Sequence, residues 1–145
     1  MWSILGPATA ERAAGRLTAA QRERMRAALE VGGYRAEDAA SVDAFLAASH
    51  DAQVSMAEAT GNVRLVEAVE RLDADFQRVF RMAFLAHDLG PRVSAVFADL
   101  LDALTTGDAA RARDTAARAI AWAREDTVAT LRSSPSVLGA PITSV

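Results

Sequence analysis

Met56-Ala57-Glu58-Ala59-Thr60-Gly61-Asn62 separates two long runs of helix-forming residues and reads as a corner. Glycine takes the left-handed backbone that closes a helix without a Cβ penalty, so Gly61 ends the first run. The Asn62 side chain can accept from the free backbone N–H groups that open the next. A corner this short leaves two helices no room to part, and they must pack as antiparallel neighbours. The run before it, from near Glu37 to about Thr60, carries the stripe Val42, Phe45, Leu46, Ser49, Gln53 and Met56, which turns polar in its middle. The run after it, from Val63 to about His87, carries Val66, Val69, Leu72, Phe76, Val79, Phe80 and Phe84 on one face. Arg64, Arg71, Arg78, Glu67 and Glu70 lie mostly on other faces.

The same punctuation extends outward. Pro7 is expected to start a first helix running through Ala14, because its missing N–H is not needed there. Thr18-Ala19-Ala20-Gln21 has the form of a capping box for a second helix, with Met25, Ala28 and Leu29 inward and an end at Gly32-Gly33. Beyond Gly90-Pro91 a fifth helix is expected to about Leu104, burying Val93, Val96, Phe97, Leu100, Leu101 and Leu104. Asp108 is placed to cap a sixth from Ala109 to about Arg132, with Ala112, Ala116, Ala119, Ile120, Ala123, Val128 and Leu131 inward. No stretch alternates with a period of two residues. The expectation is an all-α antiparallel bundle of about six helices over residues 1–132, followed by an aperiodic tail over 133–145.

Composition narrows the chemistry. The 145 residues include no Cys, which excludes disulfides, thiolate metal sites and thiol catalysis. All 16 basic residues are Arg, so lysine Schiff bases and P-loop lysines are excluded as well. A net charge of −3 gives no bulk attraction to DNA or to an anionic membrane. The apolar runs are too short to span a bilayer, and Met1-Trp2-Ser3-Ile4-Leu5-Gly6-Pro7 lacks the basic start and long apolar stretch of a signal peptide. A cytoplasmic protein without membrane contact is expected.

Candidate reactive groups are few. His50-Asp51 and His87-Asp88 are adjacent pairs, about 100° apart on a helix, and cannot chelate together. Glu37-Asp38 suits a helix start, where acids complement the dipole. Glu125-Asp126 points two ways, so a shared-proton dyad is not expected. Arg78 and Arg81, one turn apart, could clamp a carboxylate. They could equally lie on a solvated face, paired to Glu70 or Asp75. Phosphate loops and nucleophile elbows are absent. An all-α enzyme using the two arginines on an anion would lack an identifiable base, and no enzyme is expected.

Three ordered blocks bring a family into view. Ile4-Leu5-Gly6-Pro7-Ala8-Thr9-Ala10-Glu11-Arg12-Ala13-Ala14-Gly15-Arg16-Leu17-Thr18 resembles the opening of an FCD domain, the helical effector-binding and dimerisation domain of FadR-type GntR transcription regulators. Met56-Ala57-Glu58-Ala59-Thr60-Gly61-Asn62 resembles that family's "LAEASGN" corner. Asp99-Leu100-Leu101-Asp102-Ala103-Leu104-Thr105-Thr106-Gly107-Asp108-Ala109-Ala110-Arg111-Ala112-Arg113 resembles its "HRAILDAIAAGDAEAAR" stretch. The resemblance spans roughly residues 4 to 132. It implies a homodimer that senses a small organic effector, for which an organic acid is one class. It also implies DNA contact only through a winged helix-turn-helix module that this stretch of sequence does not contain.

Many FCD domains hold a divalent metal between an Asp and a His one turn apart on the third helix and two further His. Carried across from the corner, the Asp and His positions fall on Ser49 and Gln53; the third ligand falls on Phe97, and the fourth, counted from Gly107-Asp108, on Ala119. Ser and Gln are weak neutral donors, and Phe and Ala have none, so the resemblance implies a metal-free branch with no cofactor. A three-residue slip would instead put His50 on a ligand position, against the unbroken Ala57-Glu58-Ala59 block. The former metal site then becomes a ligand cavity lined by Ser49, Gln53, Phe97 and Ala119. Met56, Arg78, Arg81, Phe84 and Trp122 stand near it. The other reading is a structural all-α homodimer without a ligand, whose core is closed around Gln53 and Phe97. Exposed apolar positions on the fourth helix, such as Leu65 and Val69, would serve the dimer.

Overall fold

The computed structural model describes residues 2–31, 34–86 and 90–133, apart from the side chains of Trp2, Asp75, Arg78, Ala86 and Leu131. Gly32-Gly33, His87 and the tail from Ser134 lie outside the described residues, as does the Arg78 side chain. Six helices make up the described chain: α1 (Trp2–Ala13), α2 (Ala19–Glu30), α3 (Ala39–Ala59), α4 (Val63–Ala86), α5 (Gly90–Thr106) and α6 (Ala109–Ser133).

Local chemistry sets the joints. Gly61 has φ of 70°, and the Asn62 Oδ1 accepts from the Leu65 N–H at 3.3 Å. Thr18 and Gln21 form both bonds of the capping box, at 3.2 and 2.9 Å. Asp38 caps α3 through the Ser41 N–H, and Asp108 caps α6 through the Arg111 N–H. Gly15 (φ 72°) and Gly107 (φ 75°) press backbone to backbone, and the Gly15 N–H donates to the Leu104 carbonyl at 2.8 Å. A side chain at either position would strain a left-handed backbone.

One boundary is corrected. α1 begins at Trp2, not Pro7, and Pro7 lies inside it. Proline forfeits one backbone bond there, but the added turn packs on α6. Gly6 lies so close to Ile120 that a Cβ would run into its Cδ1.

The packing is uneven. α1 lies along α6, α2 along α3, α3 along α4, and α5 along α6. Alanines at the crossings of α1, α5 and α6 (Ala10, Ala13, Ala103, Ala112, Ala116) allow close approach, with Leu104 and Met25 between them. A second cluster joins Tyr34, Val42, Phe45, Leu46, Phe84 and Val93. α4 and α5 follow one another in sequence, yet α4 leans on α3 and α6 while α5 leans on α6 and α2. The wedge between them holds the site.

Candidate functional site

A cavity of about 500 Å³ opens between α3, α4, α5 and α6, with the start of α1 closing one side. Protein interiors seldom leave voids larger than a water molecule. Part of the reason lies in α6, which presents Ala116, Ala119 and Ala123 where larger side chains would fill the space. Opposite them, α4 presents a ladder of rings. Phe76 stacks on Phe80 at 5.5 Å and Phe80 on Phe84 at 5.9 Å between centroids.

Four positions that the resemblance assigned to the site meet here. Ser49 and Gln53 from α3, Phe97 from α5 and Ala119 from α6 all line the cavity, as do Met56, Phe84 and Trp122. No hydrogen bond among the described residues engages the side chain of Ser49 or Gln53. The core around Gln53 and Phe97 is therefore not closed. The Trp122 indole N–H is buried and lacks a partner among the described residues. Its ring carries the Arg92 guanidinium on one face, 4.5 Å from the centroid.

Arg81 is placed elsewhere. It leaves the cavity and forks onto Asp43 of α3, with bonds of 2.6 and 3.2 Å. The guanidinium holds the Asp43 carboxyl below its ordinary range, by hydrogen bonding first and charge second. The pairing expected with Glu70 or Asp75 gives way because Arg81 sits at the α4 edge facing α3. Val69 is likewise corrected. It is 1% exposed, packed with Ala57, and offers nothing to a partner.

The polar part of the wall includes two residues that sequence reasoning missed. Asp73 and Gln77 both line the cavity. Asp73 is buried, with 3% of its side chain exposed, and its Oδ2 accepts from His50 Nδ1 at 2.6 Å and from the Gln77 amide at 3.0 Å. The Gln77 amide also donates to the Leu46 carbonyl at 3.1 Å. The signal was present. Asp73 and Gln77 interrupt the apolar series Val69, Leu72, Phe76 and Phe80 on its own face.

The family ligand positions do not fit a metal. Ser49, Gln53, Phe97 and Ala119 supply two neutral oxygens at most. No group of three or more His, Asp or Glu that could hold an ion occurs among the described residues.

A family model described as FCD domain matches residues 1–121. This chain belongs to the FCD domain family. The FCD domain is the C-terminal effector-binding domain of GntR-type transcription regulators, so the cavity stands in a family built around such a site. The FCD match ends within α6, which continues as helix to Ser133. No curated protein matches this FCD sequence. No described helix of it is long and apolar enough to cross a membrane.

Proposed function

We propose that this FCD domain is the ligand-sensing and dimerisation part of a GntR-type regulator of the FadR subfamily, and that it takes a small organic effector in a metal-free cavity. Contact with DNA falls to a separate winged helix-turn-helix module, and the setting is the cytoplasm. The observation that carries the reading is the cavity of about 500 Å³ with the Ser49 and Gln53 side chains unengaged in its wall. Closed and dry, each 100 Å³ of such space would cost about 2 kcal/mol. Its size and its few polar groups in an apolar wall are those of a small-molecule site. The structural homodimer without a ligand needs a filled core at that place, and nothing here favours it.

Ala119→Trp tests the reading by filling the cavity from α6. A neutral environment-sensitive dye such as N-phenyl-1-naphthylamine is expected to brighten on the native protein. The Ala119→Trp variant, folded by circular dichroism, is expected to lose at least tenfold in dye affinity. Equal dye binding by the two proteins, or none by the native one, would refute the reading.

A further inference from the structure

We propose that the ligand of this cavity carries a protonated nitrogen on an apolar body, and that the ammonium group sits against the Asp73 carboxylate. This rests on the reading of the cavity as an effector site and adds the charge of the effector.

The wall has two charged residues among those described, Asp73 and Arg124. They differ in depth. Arg124 is exposed at the cavity edge, whereas Asp73 is almost wholly buried in the middle of α4. A carboxylate taken out of water needs compensation by donors or by an opposite charge. Asp73 is compensated on one side only. His50 and Gln77 both donate to Oδ2, and no hydrogen bond among the described residues reaches Oδ1. His50 approaches from a ring that is 36% exposed, so it serves the solvent side of the carboxylate. An ammonium group entering from the cavity would supply donors to Oδ1 and a charge opposite to that of the carboxylate.

The surrounding surface agrees with a cation. Phe76, Phe80 and Phe84 line the same space and offer the apolar body of the ligand its wall. The Ser49 hydroxyl and the Gln53 carbonyl are further acceptors across the space. An anion would meet the opposite conditions. Arg81, which could have clamped a carboxylate, is committed to Asp43 outside the cavity, and Asp73 would repel a carboxylate from within.

Three probes with one apolar body separate the possibilities: 4-phenylbutylamine, 4-phenylbutanol and 4-phenylbutyrate, each titrated against the neutral dye bound to the full chain at neutral pH. The amine is expected to displace the dye at least tenfold more readily than the alcohol, with the acid weakest. Asp73→Asn is expected to bring the amine down to the alcohol, each read relative to that variant's own dye affinity. Should that variant fail to bind the dye, His50→Leu provides the second measurement. It leaves Asp73 with one donor fewer, and the preference for the amine is expected to persist or grow. A preference for the acid, or an amine preference that survives Asp73→Asn, would overturn the charge assignment and leave the effector site intact. So would a dye that binds and resists the amine. A native protein that binds no dye would overturn the effector-site reading itself, and this inference with it.

Discussion

Asp99 shows how a single carboxylate ties two helices at the far corner of the bundle. It accepts from the Thr115 hydroxyl at 2.7 Å and from Arg111, which also reaches Asp102 at 2.6 Å. The Thr115 bond and then the Arg111 guanidinium hold its carboxyl below the ordinary range. The folded state therefore releases this proton more readily than the unfolded chain. The stabilisation is complete above the ordinary carboxylate range and is lost as pH falls through the depressed value. Asp99→Asn is expected to lower Tm by roughly 3 °C at neutral pH. It should also flatten the loss of stability below about pH 5 in a thermal-melt series. Residues of this kind differ in how readily sequence discloses them. Gly61, Asn62, Thr18 and Gln21 act on their own neighbours, so spacing alone announces them. Ser49 and Gln53 show as a polar break in an apolar stripe. Asp73 shows the same break, and Gln77 lies one turn on along α4, but His50 comes from α3, and that pairing is tertiary. Arg81 lies about 80° round α4 from Asp73, enough to carry it from the cavity to Asp43.

At the scale of the element, α2 depends most plainly on its cap. It is a 12-residue helix, too short to hold by propensity alone. Both capping-box bonds form at its start, and Gln21 is 3.4 Å from Glu58 of α3, which also pairs with Arg24. Thr18→Ala is expected to cost about 1 kcal/mol, read as a lower midpoint in urea at unchanged slope. Helix order and corners were legible because caps and periodicity are local. The start of α1 was not, because Gly6-Pro7 has the form of a break. What overrides it is Ile120, more than a hundred positions later, against which Gly6 packs. The divergence of α4 from α5 was equally hidden. Their sequences say only that each has an apolar face. They do not say that the two faces are held apart by α6, with the cavity between.

At the scale of the molecule, the covering of the core leaves an apolar surface. Met82 is 49% exposed, and Leu85 also stands out toward the end of α4, where Leu65 and Val69 had been expected at its start. Val69 instead belongs to the core, and Leu65 is half-buried against it. Ile4 and Val63 are exposed as well. The proposed homodimer would use this kind of surface, since burying it removes apolar area from water. Sedimentation at micromolar concentration is expected to give a species of twice the chain mass. Met82→Glu with Leu85→Glu is expected to shift it to the monomer without loss of helix content. A native protein that sediments only as monomer would refute the dimer.

The approach of Gly15 to Gly107 pins together one end of the three helices around it. They meet where two bare backbones touch, at the end of α1 and at the turn from α5 to α6. The cavity is walled by the opposite stretches of the same helices, at Ser3 and Gly6, at Val93 to Leu100, and at Ala116 to Val128. The same three helices thus meet closely at one end, where glycine leaves no side chain to separate them, and frame the cavity at the other.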